Sequence, residues 1–233
     1  MSSTHVVKQG EHLSGIAYRY GFSGYKVIWD YPANAGLKKL RENPSILLPG
    51  DELVIPDREP RVESRPVDAR HRFVAPAEEL ELRLSIRDGG NKPVKGVKFL
   101  LVVEGVDAEL DADGQGVVEK KIPKTSANAL LLVRDPKRLV QLEVGLKIGH
   151  LDPVDTRSGQ MARLNNLGYM AGDADDPTEG ATTTSSASDP AEAKARKERF
   201  KSAVEEFQCD SGLHVDGVCG RNTQAKLREV HGC

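Results

Sequence analysis

The chain is poor in cysteine, poor in aromatic side chains and free of long apolar runs. Its cysteines are Cys209, Cys219 and Cys233, all near the C-terminal end. An odd number gathered at one end excludes a disulfide framework spread along the chain. It leaves room for one bridge among the three, with connectivity that spacing does not fix. No apolar stretch approaches the roughly 20 residues that a helix needs to cross a bilayer, so no membrane insertion is expected. The opening Met1-Ser2-Ser3-Thr4-His5-Val6-Val7-Lys8 lacks the basic-then-apolar layout of a secretory signal. That predicts a protein made and held in the cytoplasm unless a signal-independent route exports it to the periplasm or a target cell.

Excess charge is also lacking. Lys and Arg number 33 against 35 Asp and Glu, a formal net charge of −2. Nucleic acid is therefore a poor candidate, because its binding draws on a surplus of cations. His-Glu-x-x-His is absent, and the six histidines are scattered. His214 lies near Cys209 and Cys219, but Cys-x2-Cys pairs are missing, so neither a metal nor a cofactor is expected.

What is present is punctuation. In residues 4–56 a short strand at 4–8 meets a turn at Gln9-Gly10. Leu13, Ile16, Ala17 and Tyr20 then recur at helical spacing, and Gly21 supplies a stop. Ser23 is a candidate cap for a second helix carrying Val27, Ile28 and Tyr31, limited by Pro32. Pro49-Gly50-Asp51 turns the chain into a strand at 52–56. Residues 57–70 are charged and proline-punctuated, as in a linker. Residues 71–150 alternate with period two at Leu80, Leu82, Leu84 and Ile86. Further strands are expected at 97–103, 117–122, 130–133 and 139–148, with turns at 88–91 and 113–116. Residues 151–233 are helical. Met161, Leu164 and Leu167 mark one face, ended by Gly168. Phe200, Ala203, Val204 and Phe207 mark a second, and Leu227 and Val230 a third behind a Thr223 cap. A Thr/Ser/Ala-rich flexible insertion is expected at 171–190.

These readings predict a multidomain α+β chain. It comprises a β-α-α-β module at 4–56, a linker at 57–70, an all-β sandwich at 71–150 and a helical module at 151–233. The first segment, with Val6-Val7-Lys8-Gln9-Gly10-Glu11-His12-Leu13-Ser14-Gly15-Ile16-Ala17, Asn43-Pro44 and Leu47-Leu48-Pro49-Gly50-Asp51-Glu52-Leu53-Val54-Ile55-Pro56, resembles LysM domains. It departs from them at residues 35–42, where a shorter loop is usual. The third resembles the three-helix peptidoglycan-binding domain through Arg163-Leu164-Asn165-Asn166-Leu167-Gly168-Tyr169 and Ala203-Val204-Glu205-Glu206-Phe207-Gln208. The match continues in Gly212-Leu213-His214-Val215-Asp216-Gly217-Val218-Cys219-Gly220 and Thr223-Gln224-Ala225-Lys226-Leu227. The middle segment is similar in a generic way to immunoglobulin-like or prealbumin-like sandwiches. The three-part order is similar to proteins associated with type VI secretion or phage-like injection machines.

The resemblances imply a peptidoglycan partner, a glycan containing N-acetylglucosamine, with spike, tube or effector proteins of an injection machine as further candidate partners. In the LysM-like segment the implied groove is formed by Gly10, Glu11, His12 and Leu13 with Asn43, Pro44, Ile46 and Leu47. Glycine lets backbone approach a sugar closely. Leu13, Ile46 and Leu47 offer apolar contact, unless Leu13 and Leu47 are simply core. In the C-terminal module the candidates are Tyr169, Val215, Asp216, Gly217 and Gly220, with the glycines also read as turn-formers. Trp29 is read more readily as packing than as a stacking platform.

Catalytic readings fare worse, and no catalytic residue is expected. His231-Gly232-Cys233 echoes an L,D-transpeptidase motif, but Val230 stands where serine belongs. Glycoside hydrolysis needs paired carboxylates in a cleft, and no segment is left to form one. A structural adaptor role and a cell-wall hydrolase or transpeptidase are the competing functions.

Overall fold

The computed structural model describes residues 2–59, 62, 64–72, 79–88, 92–135, 140–174 and 190–233. Parts of the expected linker (60, 61 and 63), the turn residues 89–91, Leu139 and residues 175–189 of the expected insertion lie outside the described residues. Among the described residues stand eight strands and six α-helices, a mixed α+β chain with antiparallel sheets. The chain divides into two units, Met1–His150 and Leu151–Cys233. The first two expected domains thus share one unit.

In the first unit β1 (Ser3–Val6) pairs antiparallel with β2 (Glu52–Ile55), each slightly shorter than expected. Helix α1 (Leu13–Arg19) turns Leu13, Ile16 and Ala17 into the core, as its spacing requires. It ends in a Schellman turn, with the Phe22 N–H on the Ala17 carbonyl and the Gly21 N–H on the Tyr18 carbonyl, both at 2.9 Å. Helix α2 (Lys26–Trp29) is a single turn. Ser23 does not cap it: the N-cap is Tyr25, and Ser23 stands too far upstream to reach the first N–H groups. Ile28 and Trp29 enter the core, Val27 is exposed, and Tyr31 falls outside the helix. Trp29 is packed among Leu13, Ile16 and Leu53, which leaves its ring no face for a sugar. Pro32 opens a 3-10 turn (Pro32–Asn34) that runs into α3 (Ala35–Arg41). The stretch read as an added loop is therefore a third helix.

A two-stranded sheet leaves the outer edge of each strand unpaired. Asn34 fills the β2 edge as a third strand would. Its Oδ1 accepts the Val54 N–H at 2.8 Å, and its Nδ2 donates to the Val54 and Ile28 carbonyls, each at 2.8 Å. Beside it, Arg41 grips Asp51 in a buried bidentate pair, Nε and Nη2 both at 2.8 Å. Asp51 also takes the Leu48 N–H at 2.8 Å, so one carboxylate fastens α3 to the turn before β2.

The rest of the first unit is built of two antiparallel sheets around one buried cluster. One pairs β3 (Leu80–Ser85) with β6 (Val117–Ile122). The other has the order β5-β4-β7-β8, from β5 (Val106–Asp111), β4 (Lys98–Val103), β7 (Asn128–Asp135) and β8 (Val140–Lys147). Phe99, Leu101 and Val103 of β4, Val118 and Ile122 of β6 and Leu131 of β7 form the centre, with Leu80, Leu82 and Leu84 packed against it. Strand β5 was not expected. Its sequence Val-Asp-Ala-Glu-Leu-Asp is mostly exposed, and it follows β4 through a tight turn at Glu104 (φ 51°) and Gly105 (φ 79°). Positive φ at both turn residues matches the twist of the paired strands.

The second unit holds α4 (Arg157–Asn166), α5 (Pro190–Asp210) and α6 (Arg221–His231). Their inward faces are Met161 and Leu164, then Phe200, Ala203, Val204 and Phe207, then Leu227. Val230 is exposed rather than core. Thr223 is not the cap of α6. Gly220 holds that position, and Thr223, one turn in, is buried. Arg163 crosses the interior and donates to the carbonyls of Asp152 and Gly159 (2.8 Å each) and Cys233 (2.9 Å).

The edge-filling role of Asn34 is open to measurement. Asn34→Ala should cost about 3 kcal/mol, the order expected when several buried backbone groups lose their partner together. Urea unfolding followed by Trp29 emission reads it, and a loss below about 1 kcal/mol would assign the edge to water instead.

Candidate functional site

One acid organises the loop between β1 and α1. Glu11 accepts the Lys8 N–H at 3.0 Å and is approached by His5 Nε2 at 2.7 Å and Arg19 Nη1 at 2.5 Å. A carboxylate only accepts, so His5 carries its proton on Nε2, and its Nδ1 faces the Tyr20 hydroxyl at 3.2 Å. Burial pushes the Glu11 pKa up, but the bonds from Lys8, His5 and Arg19 outweigh it, and the net shift is downward. Glu11 is thereby fully engaged within the protein. His12 is the N-cap of α1, its Nδ1 taking the Gly15 N–H at 3.2 Å, and burial lowers its pKa.

This loop packs on the end of the strand-rich segment. Gly10 has φ 83°, and a Cβ there would stand 2.7 Å from His150 Nε2. A Cβ on Gly149 would stand 2.6 Å from the Gly10 carbonyl oxygen. Next to that contact a cleft of about 360 Å³ remains open. Gly10, Glu11, His12, Tyr18 and Arg19 form one wall, and Lys124, Thr125, Ser126 and Ala127 the other. The Lys124 ammonium lies 4.9 Å from the centre of the Tyr18 ring. Ser126 is 1% exposed, and its hydroxyl has no hydrogen-bond partner.

The other half of the expected groove does not line this cleft. Asn43 folds its own loop, its Oδ1 on the Ser45 N–H at 2.9 Å and its carbonyl on the Ile46 N–H at 3.1 Å. Pro44 beside it is partly exposed. Leu13, Ile46 and Leu47 are 1%, 7% and 4% exposed, so the apolar contacts expected of them are spent inside the protein. Of the first set, Gly10, Glu11 and His12 reach the cleft. Tyr18, Arg19, Lys124 and Ser126 were missed. Tyr18 was legible, because it sits off the apolar stripe of α1, beside Arg19. A Lys-Thr-Ser turn between two strands carries no such signal.

In the second unit the loop at 215–220 is built around Gln208, which is 1% exposed. Its Nε2 lies 2.8 Å from Asp216 Oδ1 and 3.0 Å from the Val218 carbonyl and Thr223 Oγ1. Its Oε1 accepts the Asp216 and Gly217 N–H groups at 3.0 Å. Asp216 also takes the Val218 N–H at 2.8 Å, and this bond leads the causes that lower its pKa. Gly217 (φ 70°) faces Lys201, where a Cβ would stand 2.6 Å from Cγ. Gly220 starts α6. Val215 and Val218 are exposed. Tyr169 packs edge-on against Phe207 and donates to Asp210 at 3.0 Å; burial and that bond push its pKa up to about 12.

The three thiols are free. Cys219 packs against the helical core, while Cys209 and Cys233 are exposed. Burial raises the Cys219 pKa to about 11. His231 stands between Asn166 Nδ2 (3.0 Å, on Nε2) and Cys233 Sγ (3.2 Å, on Nδ1). These are the residue types of a cysteine nucleophile with its base. Partial burial lowers His231 to about 4, and local desolvation raises the Cys233 thiol although the residue itself is exposed, so both are neutral at pH 7. With Asn166 donating to Nε2, the imidazole proton sits on Nδ1 and points at sulfur, where a base would need a lone pair. Among the described residues no group of three His, Cys, Asp or Glu side chains could hold a metal ion, and no helix is long and apolar enough to cross a membrane.

No family model, no curated protein and no solved structure matches the chain. Any role for these residues rests on their own chemistry.

Two measurements probe the second unit. Gln208→Leu keeps the volume and removes the amide, so exchange of the Asp216 and Gly217 amides should accelerate about tenfold for each bond of roughly 1.4 kcal/mol lost. Unchanged protection would show that the loop holds itself. A pKa depressed on folding means that the unfolded chain binds the proton first. The His231 contribution to stability is therefore complete above the ordinary histidine value of 6.5 and is lost as pH falls towards about 4. A ring titration by NMR should place the His231 midpoint near 4, and a midpoint near 6.5 would contradict its half-buried placement.

Proposed function

We propose that this chain is a non-catalytic peptidoglycan-binding protein. In this reading a LysM-like module at its N-terminus engages glycan containing N-acetylglucosamine. A three-helix peptidoglycan-binding module lies at its C-terminus, and a sandwich between them supplies the far wall of the N-terminal cleft. The observation that carries the reading is the cleft itself. It is bordered by the backbone of Gly10 and the exposed ring of Tyr18, and its volume of about 360 Å³ lies in the range of small-ligand sites. Sugars present an apolar face rimmed by hydroxyls, which an aromatic ring beside open backbone matches. In the C-terminal module, the loop held by Gln208 displays Val215 and Val218 to solvent and supports the same reading.

One observation favours a second reading, that of an adaptor in a type VI or other contractile injection machine. The loop at Gly10 is already packed on Gly149 and His150, as in a fold that uses this loop for protein contact. Spike, tube or effector proteins would then be the partners.

Co-sedimentation decides between them. The intact chain should pellet with purified sacculi and leave their muropeptides unreleased. Protein that stays wholly in the supernatant across a range of salt, yet co-purifies with a spike or tube protein, would replace the first reading with the second.

A further inference from the structure

The polar groups around the N-terminal cleft do not balance. The charge of Glu11 is spent on Arg19, His5 and the Lys8 N–H. The Thr125 hydroxyl is spent on Glu104 at 3.1 Å. Two groups are left over. The Lys124 ammonium rests on the Tyr18 ring and, among the described residues, has no carboxylate in ion-pair reach. The Ser126 hydroxyl is buried and unpartnered, although buried hydroxyls as a rule find a partner. A surplus cation, an orphan hydroxyl and an aromatic ring around one opening ask for a ligand with an anionic group, a second polar group and a flat apolar face.

We infer that the cleft between residues 10–19 and the turn at 124–127 takes a sugar bearing one carboxylate. That carboxylate lies on Lys124, and a ligand hydroxyl or acetamide satisfies Ser126. A neutral amino sugar would fill the space and leave the ammonium unanswered. A bare inorganic anion would meet the ammonium and leave Tyr18 and Ser126 unused. The inference rests on the glycan-binding reading and adds to it a preference for muramic acid whose lactyl carboxylate carries no stem peptide over the neutral amino sugar.

The test uses the full chain, titrated with N-acetylmuramic acid and with N-acetylglucosamine, which differ by the lactyl carboxylate. Heats and the amide shifts of Gly15 and Ser126 are followed. The acidic sugar should bind about tenfold more tightly at low salt, the scale of one charge-assisted contact, and the gap should narrow as salt screens it. Lys124→Met should close the gap. Ser126→Ala should weaken both sugars while the thermal midpoint holds or rises, because it removes an unsatisfied buried hydroxyl rather than a contact.

Equal affinities, or a gap that survives Lys124→Met, would overturn the inference. So would inorganic phosphate reproducing the shifts of the acidic sugar. If neither sugar moves the cleft amides while sacculi still pellet the protein, the inference fails and the glycan-binding reading stands. If sacculi are ignored as well, both fail.

Discussion

The N-terminal module depends on one side-chain amide. Two short strands cannot close a sheet, and the helices around them offer no backbone in strand conformation. Asn34 resolves this by presenting an acceptor and a donor at the spacing of a peptide group, and so completes the Val54 position of β2. The same amide reaches the Ile28 carbonyl and thereby fixes α2 against the sheet edge. Trp29, Ile28 and Leu53 are then held in one cluster.

Local chemistry made much of this fold legible, and non-local chemistry hid the rest. The stripe of Leu13, Ile16 and Ala17, the stop at Gly21, the alternation of β3 and the inward faces of α4 and α5 follow from short-range periodicity. Helix α3 was not legible: Ala-Gly-Leu-Lys-Lys-Leu-Arg fully buries no apolar residue, so no apolar stripe announced it. Strand β5 escaped for a similar reason, because its side chains are mostly solvated. Asn34 and Gln208 are polar residues whose value appears only when a distant backbone arrives beside them.

The candidate site divides in the same way. Gly10 and His12 were singled out through the resemblance to LysM domains, whereas Leu13 and Leu47 were open to two readings, and burial decides for the core. The opposite wall of the cleft comes from a turn between β6 and β7, and no pattern in the first segment points to it. In the second unit the glycines of the 215–220 loop have plain geometric duties, and Gln208 governs how that loop is displayed.

Strand β5 carries a further consequence. It ends its sheet, and Asp107, Glu109 and Asp111 stand exposed along it. A row of like charges on a free rim repels the same rim of another copy, so the sheet stops growing there. Replacing those carboxylates with neutral side chains would lift the repulsion and open the edge to a foreign strand. The acidity of this one strand thus guards the sheet against self-association.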